Sequence, residues 1–219
     1  RQREIGLATI AFVNQKKNGQ TYSAADIVVE GFEEVDFYFL ERIYQRKHGI
    51  PWRVIETERT YLREMTVEDV EALYEIYAQE GMTDFIEPLC EKREDEIAYT
   101  KAYIENMYVY YGYGMWLVCD RENGEIIGRA GLNTQEIEDE IVLEMGYLIR
   151  QEYQRQGYAY EVCTAIMDYA KEASGFSELS CLVEEENHPS LGLLQKLGFS
   201  FRKEVDILGK RMKRYVYAL

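Results

Sequence analysis

Apolar positions recur with two different periods along this chain, close to 2 in some stretches and close to 3.6 in others. That alternation predicts a mixed α/β protein. Residues 8–13 and 27–30 are short apolar runs of strand character, separated by a polar loop at 14–23. Residues 35–46 follow as a helix, with Tyr38, Phe39, Ile43 and Tyr44 forming a stripe. Two strands and one helix bury too little to be stable alone, so this segment is expected to dock onto something. Composition shifts at Ile50-Pro51-Trp52, which separates an N-terminal segment, 1–52, from a main domain, 56–219.

From residue 56 onward the pattern is regular. Residues 60–63 read as a strand, Thr66-Val67-Glu68-Asp69 as a capping box, and Val70, Leu73, Tyr74 and Tyr77 as one helical face. A second helix is expected over 94–110, with Ile97, Ile104, Met107, Tyr108 and Tyr111 at helical spacing. Strands at 115–119 and 125–132 flank a turn at 120–124, and a long strand covers 141–149. The next helix, 158–172, turns Ala159, Val162, Cys163, Ile166 and Ala170 inward. A strand at 179–183, a short helix at 190–197 stopped by Gly198, and a hairpin of 200–208 with 212–219 around Gly209-Lys210 complete the chain.

With 219 residues, 47% of them apolar, the chain can hold one large domain or one domain plus an extra segment. No apolar run approaches the ~18 residues of a membrane span, no signal peptide is visible, and a cytoplasmic protein is expected. The first residue is Arg1 rather than Met, which reads as a trimmed or partial product. A formal net charge of −15 argues against a nucleic-acid partner. Cys90, Cys119, Cys163 and Cys181 have no metal-ligand spacing, and His48 and His188 do not supply it, so no metal is expected. The thiols read as reduced packing residues. A homodimer is left open.

The densest chemical signal is the run Tyr153-Gln154-Arg155-Gln156-Gly157-Tyr158-Ala159, between a strand and a helix. A glycine turn there leaves a fan of unpaired N–H groups, and the helix dipole adds roughly half a positive charge. Such a fan binds phosphate oxygens, although an ordinary strand–helix connection has the same outline. Glu144 stands on a strand otherwise apolar on both faces. A carboxylate there is either a general base whose pKa burial raises, or a structural group held by backbone or a cation.

Three pieces, in order, carry a resemblance over 56–219 to the GNAT superfamily of acyl-CoA-dependent N-acyltransferases. They are Gln154-x-x-Gly157-x-Ala159, the preceding Leu143-Glu144-Met145-Gly146-Tyr147-Leu148-Ile149, and Asn187-His188-Pro189-Ser190 followed by Lys196-Leu197-Gly198-Phe199. The details are most similar to the branch of ribosomal-protein alanine acetyltransferases. The resemblance implies an α/β (mixed α+β) fold: a mostly antiparallel, twisted sheet of about seven strands, splayed between the fourth and fifth, with about four flanking helices.

It also implies transfer of an acetyl group from acetyl-CoA to a primary amine, on a small molecule or a protein N-terminus. The diphosphate would meet Gln154, Arg155, Gln156, Gly157, Tyr158 and Ala159. The pantetheine arm would pair with the edge at Tyr147, Leu148 and Ile149, and Asn187 and Ser190 would meet the arm. Many relatives place a Tyr, as general acid, seven residues after the Asn; here that position is Leu194. Either the CoA thiolate leaves without an acid, or another tyrosine serves, with Tyr147, Tyr153 and Tyr215 as candidates. The departure at Leu194 keeps open a non-catalytic CoA-binding or sensor module.

Residues 6–40 are also similar, more weakly, to the closing strands of haloacid-dehalogenase-like phosphatases, through Thr9-Ile10-Ala11-Phe12-Val13-Asn14 and Ala25-Asp26-Ile27-Val28-Val29-Glu30-Gly31-Phe32. The upstream Asp-x-Asp nucleophile motif is missing, so a phosphatase remnant without phosphatase chemistry is the expectation. Two surface readings stay undecided. Tyr108, Tyr110, Tyr111, Tyr113 and Trp116 could line an acceptor site or simply pack in the core. Glu136, Glu138, Asp139 and Glu140, with Glu184, Glu185 and Glu186, could draw in a cationic acceptor or form a solvated face.

Overall fold

In the computed structural model, which describes residues 7–13, 25–33 and 35–219, the chain divides into two units, Arg1–Trp52 and Arg53–Leu219. In the first, β1 (Ile10–Phe12) and β2 (Ile27–Val29) pair in parallel, Ala11 opposite Val28. The expected loop at 14–23 lies outside the described residues. Asp26 ties this unit together: its carboxylate accepts from the Thr9 N–H and hydroxyl, each at 2.8 Å, and from Lys47 Nζ at 2.7 Å. Burial alone would raise the Asp26 carboxyl, but Lys47 and Thr9 outweigh it and hold the group below its ordinary value. Helix α1 (Phe37–Lys47) starts at Asp36, which caps the Phe39 N–H at 2.7 Å. Of the expected stripe only Ile43 is buried; Tyr38 and Tyr44 are exposed.

The second unit is built on one eight-stranded sheet in the order β3-β4-β5-β6-β7-β8-β10-β9. Its strands are β3 (Arg53–Glu56), β4 (Thr60–Arg63), β5 (Met115–Asp120), β6 (Ile126–Ile137), β7 (Glu140–Ile149), β8 (Glu178–Val183), β9 (Ser200–Ile207) and β10 (Lys210–Ala218). Every neighbouring pair is antiparallel except β7 with β8. The eighth strand, β3, was not expected; it is short and polar at both ends, and it gains strand character only by pairing with β4.

Strand β6 runs five residues past its expected end because Glu138 and Asp139 take left-handed conformations, φ 50° and 67°, and close a tight hairpin from Ile137 to Glu140. Asp accepts that conformation more readily than most residues, a signal the sequence pattern concealed among its acids. The last hairpin turns at Leu208-Gly209 in the same way, φ 52° and 83°.

The helices are α2 (Val70–Tyr77), α3 (Arg93–Tyr103), α4 (Val109–Tyr111), α5 (Tyr158–Ala173) and α6 (His188–Lys196). The capping box before α2 forms, with the Thr66 N–H donating to Asp69 Oδ2 at 2.7 Å. The expected single helix over 94–110 is interrupted: Ile104–Tyr108 forms a π turn between α3 and α4. One wide turn shifts the phase of the apolar stripe, so Tyr108 is fully buried while Tyr111 is exposed.

Helix α5 lays Val162, Cys163, Ile166, Met167 and Ala170 onto the sheet, and Tyr169 meets Trp116 edge-on at 5.2 Å. Cys119, Cys163 and Cys181 are buried, and Cys90 is half-buried. Burial pushes the Cys163 and Cys181 thiols well above their ordinary value. Among the described residues no helix is long and apolar enough to cross a membrane.

Candidate active site

Strands β7 and β8 pair only at Leu143–Leu179 and Glu144–Ser180, although β7 continues to Ile149. The sheet therefore opens just beyond Glu144. Main-chain groups of a strand alternate in direction. The Arg150 N–H bonds to Ile127 on the β6 side, while the Met145 carbonyl accepts from the Cys181 thiol on β8 at 3.3 Å. By that alternation the main-chain groups of Tyr147 and Ile149 face the opening, and Leu148, opposite Arg129 in register, faces β6.

Glu144 sits where the pairing ends. Its Oε2 accepts from the Gln135 amide at 2.7 Å. Crowding by protein pushes its carboxyl up to about 7, with the Leu182 main chain hydrogen-bonding it in the opposite direction. A carboxyl group in that range can take a proton near neutral pH. Asn133 lies directly opposite Glu144 in register, and its Oδ1 accepts from the Tyr103 hydroxyl at 3.3 Å. The Met115 N–H is bonded to that same hydroxyl at 2.7 Å, and the Met115 carbonyl accepts from Tyr108 at 2.5 Å. Tyr103 at the end of α3 and Tyr108 at the end of the π turn thus converge on a single strand residue.

At the far end of β7, Gly157 takes φ +88° and Arg155 φ +62° immediately before α5. No side chain caps this helix start. Only from Glu161, whose N–H donates to Gly157 O at 3.0 Å, does the helix ladder begin, so the amides of Tyr158, Ala159 and Tyr160 precede it. The Gln154 side chain donates to Ile149 O at 2.8 Å, while Gln156 Nε2 donates to Glu152 O at 2.6 Å. These two glutamines brace the turn with their side chains.

Across the opening, Asn187 caps α6, its Oδ1 accepting from the Ser190 N–H at 3.1 Å. Ser190 Oγ and the Tyr147 hydroxyl are 2.5 Å apart, which ties α6 to β7. Burial pushes the Tyr147 phenol upward. Leu194 is fully buried in the core. Tyr153 donates to Glu125 at 2.8 Å and Tyr215 packs edge-on against Phe201.

The expected aromatic cluster divides. Tyr108, Tyr113 and Trp116 belong to the core, whereas Tyr110 and Tyr111 are exposed. Four of the seven acids in these stretches pair within the chain: Glu138 with Lys203, Glu140 with Arg214, Glu184 with Lys210 and Glu185 with Lys213. Among the described residues no group of three or more His, Cys, Asp or Glu is placed to hold a metal ion. Sequence reading missed Gln135 and Arg59. Gln135 shares the face of Glu144 only once the β6–β7 register is known, and Arg59 reaches α5 from the β3–β4 turn.

The profile of the acetyltransferase (GNAT) domain matches residues 59–200. The chain belongs to the GNAT acetyltransferase family, whose general donor is acetyl-CoA.

The N-terminal unit lies outside that match. The uncharacterized N-acetyltransferase YoaA of Bacillus subtilis (strain 168) is 29% identical over 148 residues, 67% of this chain and 82% of its own. The uncharacterized protein YkkB of the same organism is 30% identical over 105 residues, 48% of this chain and 61% of its own. Among solved structures, a GnaT-family acetyltransferase from Bordetella pertussis superposes with a TM-score of 0.63 at 22% identity, covering 76% of this chain and all of its own. An acetyl transferase from Salmonella typhimurium, described as modifying the N-terminal serine of ribosomal protein L7/L12, gives 0.62 at 15% identity over 74% and 96%. At these identities the structures show the shared fold.

Proposed function

We propose that this chain transfers the acetyl group of acetyl-CoA to a primary amine, with Glu144 as general base. The acceptor is a small-molecule amine or a protein N-terminus. The observation that carries the reading is the Glu144 carboxyl, raised to about 7, at the point where β7 and β8 part. An amine attacks a thioester only as the free base, and lysine-like amines near ~10.4 or α-amines near ~7.8 are largely protonated at neutral pH. Glu144 takes the proton, directly or through one water; the amine nitrogen bonds to the acetyl carbon, the C–S bond breaks, and the proton then shed by the nitrogen passes to the departing thiolate, which leaves as the CoA thiol.

The amides of Gly157, Tyr158 and Ala159 receive the diphosphate in this reading, with Arg155 and Gln156 shaping the turn and Gln154 bracing it. Main-chain groups of Tyr147 and the Ile149 N–H pair with the amides of the pantetheine arm like an added strand, the Ile149 carbonyl being held by Gln154 and Leu148 holding the edge in place, while Asn187 and Ser190 line its far wall. An N-terminal acceptor is supported by the described action of the Salmonella relative. Leu194, buried where many relatives carry a tyrosine, favours a second reading, a CoA-binding sensor without turnover.

Thiol release from acetyl-CoA with a panel of amines and N-terminal peptides separates the two. Turnover that falls at least a hundredfold in Glu144→Gln, with CoA affinity kept, is expected. Binding of CoA without turnover on any acceptor would establish the sensor instead, and an unchanged rate in the variant would remove Glu144 from the chemistry.

A further inference from the structure

Arg59 stands in the turn between β3 and β4 and is aimed at the first turn of α5, about a hundred residues later in sequence. Its main-chain N–H donates to Glu161 Oε1 at 2.8 Å and its Nε to Oε2 at 2.7 Å. Its Nη1 donates to the Gln156 carbonyl at 3.0 Å. The guanidinium carbon lies 4.1 Å from the centre of the Tyr158 ring. Nη2 lies 3.4 Å from where a side chain on Gly157 would begin, so the guanidinium borders the glycine turn itself.

A cation at a helix N-terminus opposes the dipole, which favours anions there. Glu161 offsets that cost, yet Arg59 still raises the positive potential at the uncapped amides. A planar guanidinium fixed on two sides, with one amino group left toward the turn, is preorganised for a phosphate oxygen. A shallow cleft lined by Glu58, Arg59, Asp120, Arg121, Glu122 and Tyr158 opens beside it.

We propose that Arg59 is part of the diphosphate site: it holds the Gln156 carbonyl and the Glu161 carboxylate so that the neighbouring amides face outward, and it offers Nη2 to a phosphate oxygen. The inference rests on the reading of this turn as the acetyl-CoA site, and it adds a residue from outside the glycine motif. Arg59 is partly exposed, 39% for its side chain, so the contact is screened by water and its loss is moderate.

The test compares two donors: acetyl-CoA, and S-acetylpantetheine, which has the same thioester arm but no diphosphate. In Arg59→Gln the KM for acetyl-CoA is expected to rise about tenfold with kcat within about twofold, as for one charge-assisted contact made equally in ground and transition states. The loss is confined to the diphosphate-bearing donor, and Arg59→Lys, which keeps the charge, recovers part of it. An equal loss with both donors would make Arg59 a structural brace and overturn the proposal, as would an unchanged KM for acetyl-CoA.

Calorimetry of CoA on the wild type and Arg59→Gln probes the same contact without turnover, and about tenfold weaker binding by the variant is expected. No CoA binding by the wild type sinks the site itself. Binding by the wild type that Arg59→Gln does not weaken sinks only this inference.

Discussion

Replacing Glu144 by Gln should make the folded protein more stable above neutral pH while abolishing transfer. The fold raises this carboxyl from its ordinary 4.5 to about 7, because protein atoms take the place of water around it. The native state therefore favours the protonated form more than the unfolded chain does. The sign is opposite to that of a salt-bridged carboxylate: this one group costs the native state nothing below pH 4.5, its cost grows as pH rises from 4.5 to about 7, and it is fully present above 7. At ~1.36 kcal/mol per pH unit the rise corresponds to roughly 3 kcal/mol.

Gln is close to isosteric, can still accept from Gln135, and never ionises. Urea unfolding of both proteins from pH 5 to 8.5 is the assay, with fluorescence of a Trp52→Phe background reporting the second unit through the fully buried Trp116. The variant should gain roughly 2–3 kcal/mol on the wild type at pH 8 and little at pH 5. For a chain of this size that is a rise of about 4–12 °C in Tm. Curves that stay parallel across the range would show that Glu144 ionises normally in the fold, and the argument for it as a base would lose its physical ground.

Three other substitutions follow from the same geometry. Gln135→Leu removes the hydrogen bond that stabilises the charged form of Glu144, so the acid limb of the kcat/KM profile should move up by about half a pH unit or more, with the KM for acetyl-CoA unchanged. An unmoved limb would detach Gln135 from the base. Gly157→Ala forces a Cβ into φ +88° and should cost about 1–2 kcal/mol by thermal unfolding, together with at least tenfold in CoA affinity by calorimetry. Asn187→Ala removes the cap of α6 and should lower stability by about 1 kcal/mol and raise the KM for acetyl-CoA, since Ser190 and Tyr147 lose their fixed spacing; unchanged values for both would make the cap incidental.

The elements legible in the sequence were those specified by local chemistry. Gly157, the strand before it and the apolar stripe Val162, Cys163, Ile166 and Ala170 announced the turn and α5 to within a residue. Thr66 and Asp69 announced the start at Val70, although Ile76 rather than Tyr77 completes the buried face of α2. The rest depended on contacts far apart in sequence. Strand β3 exists through pairing, and the π turn at Ile104–Tyr108 leaves no periodic trace because its phase change resembles noise in a short helix.

Gln135 reaches Glu144 through register, Arg59 reaches Glu161 across 102 residues, and the acids at 138 and 140 meet Lys203 and Arg214 at separations of 65 and 74. A carboxylate's partner on another strand cannot be read from its own neighbourhood, which is why the acidic stretches read as unneutralised in the sequence.

The distribution of sulfur has a practical result for anyone following this reaction by colour. A disulfide reagent added to the native protein meets three thiols sealed from solvent and only Cys90 within partial reach, itself held protonated by the neighbouring Glu96. Free coenzyme A released on turnover would then stand out against a nearly silent background. The same reagent under mild denaturant becomes a clock for opening of the interior, since Cys119, Cys163 and Cys181 can report only when β5, α5 and β8 come apart.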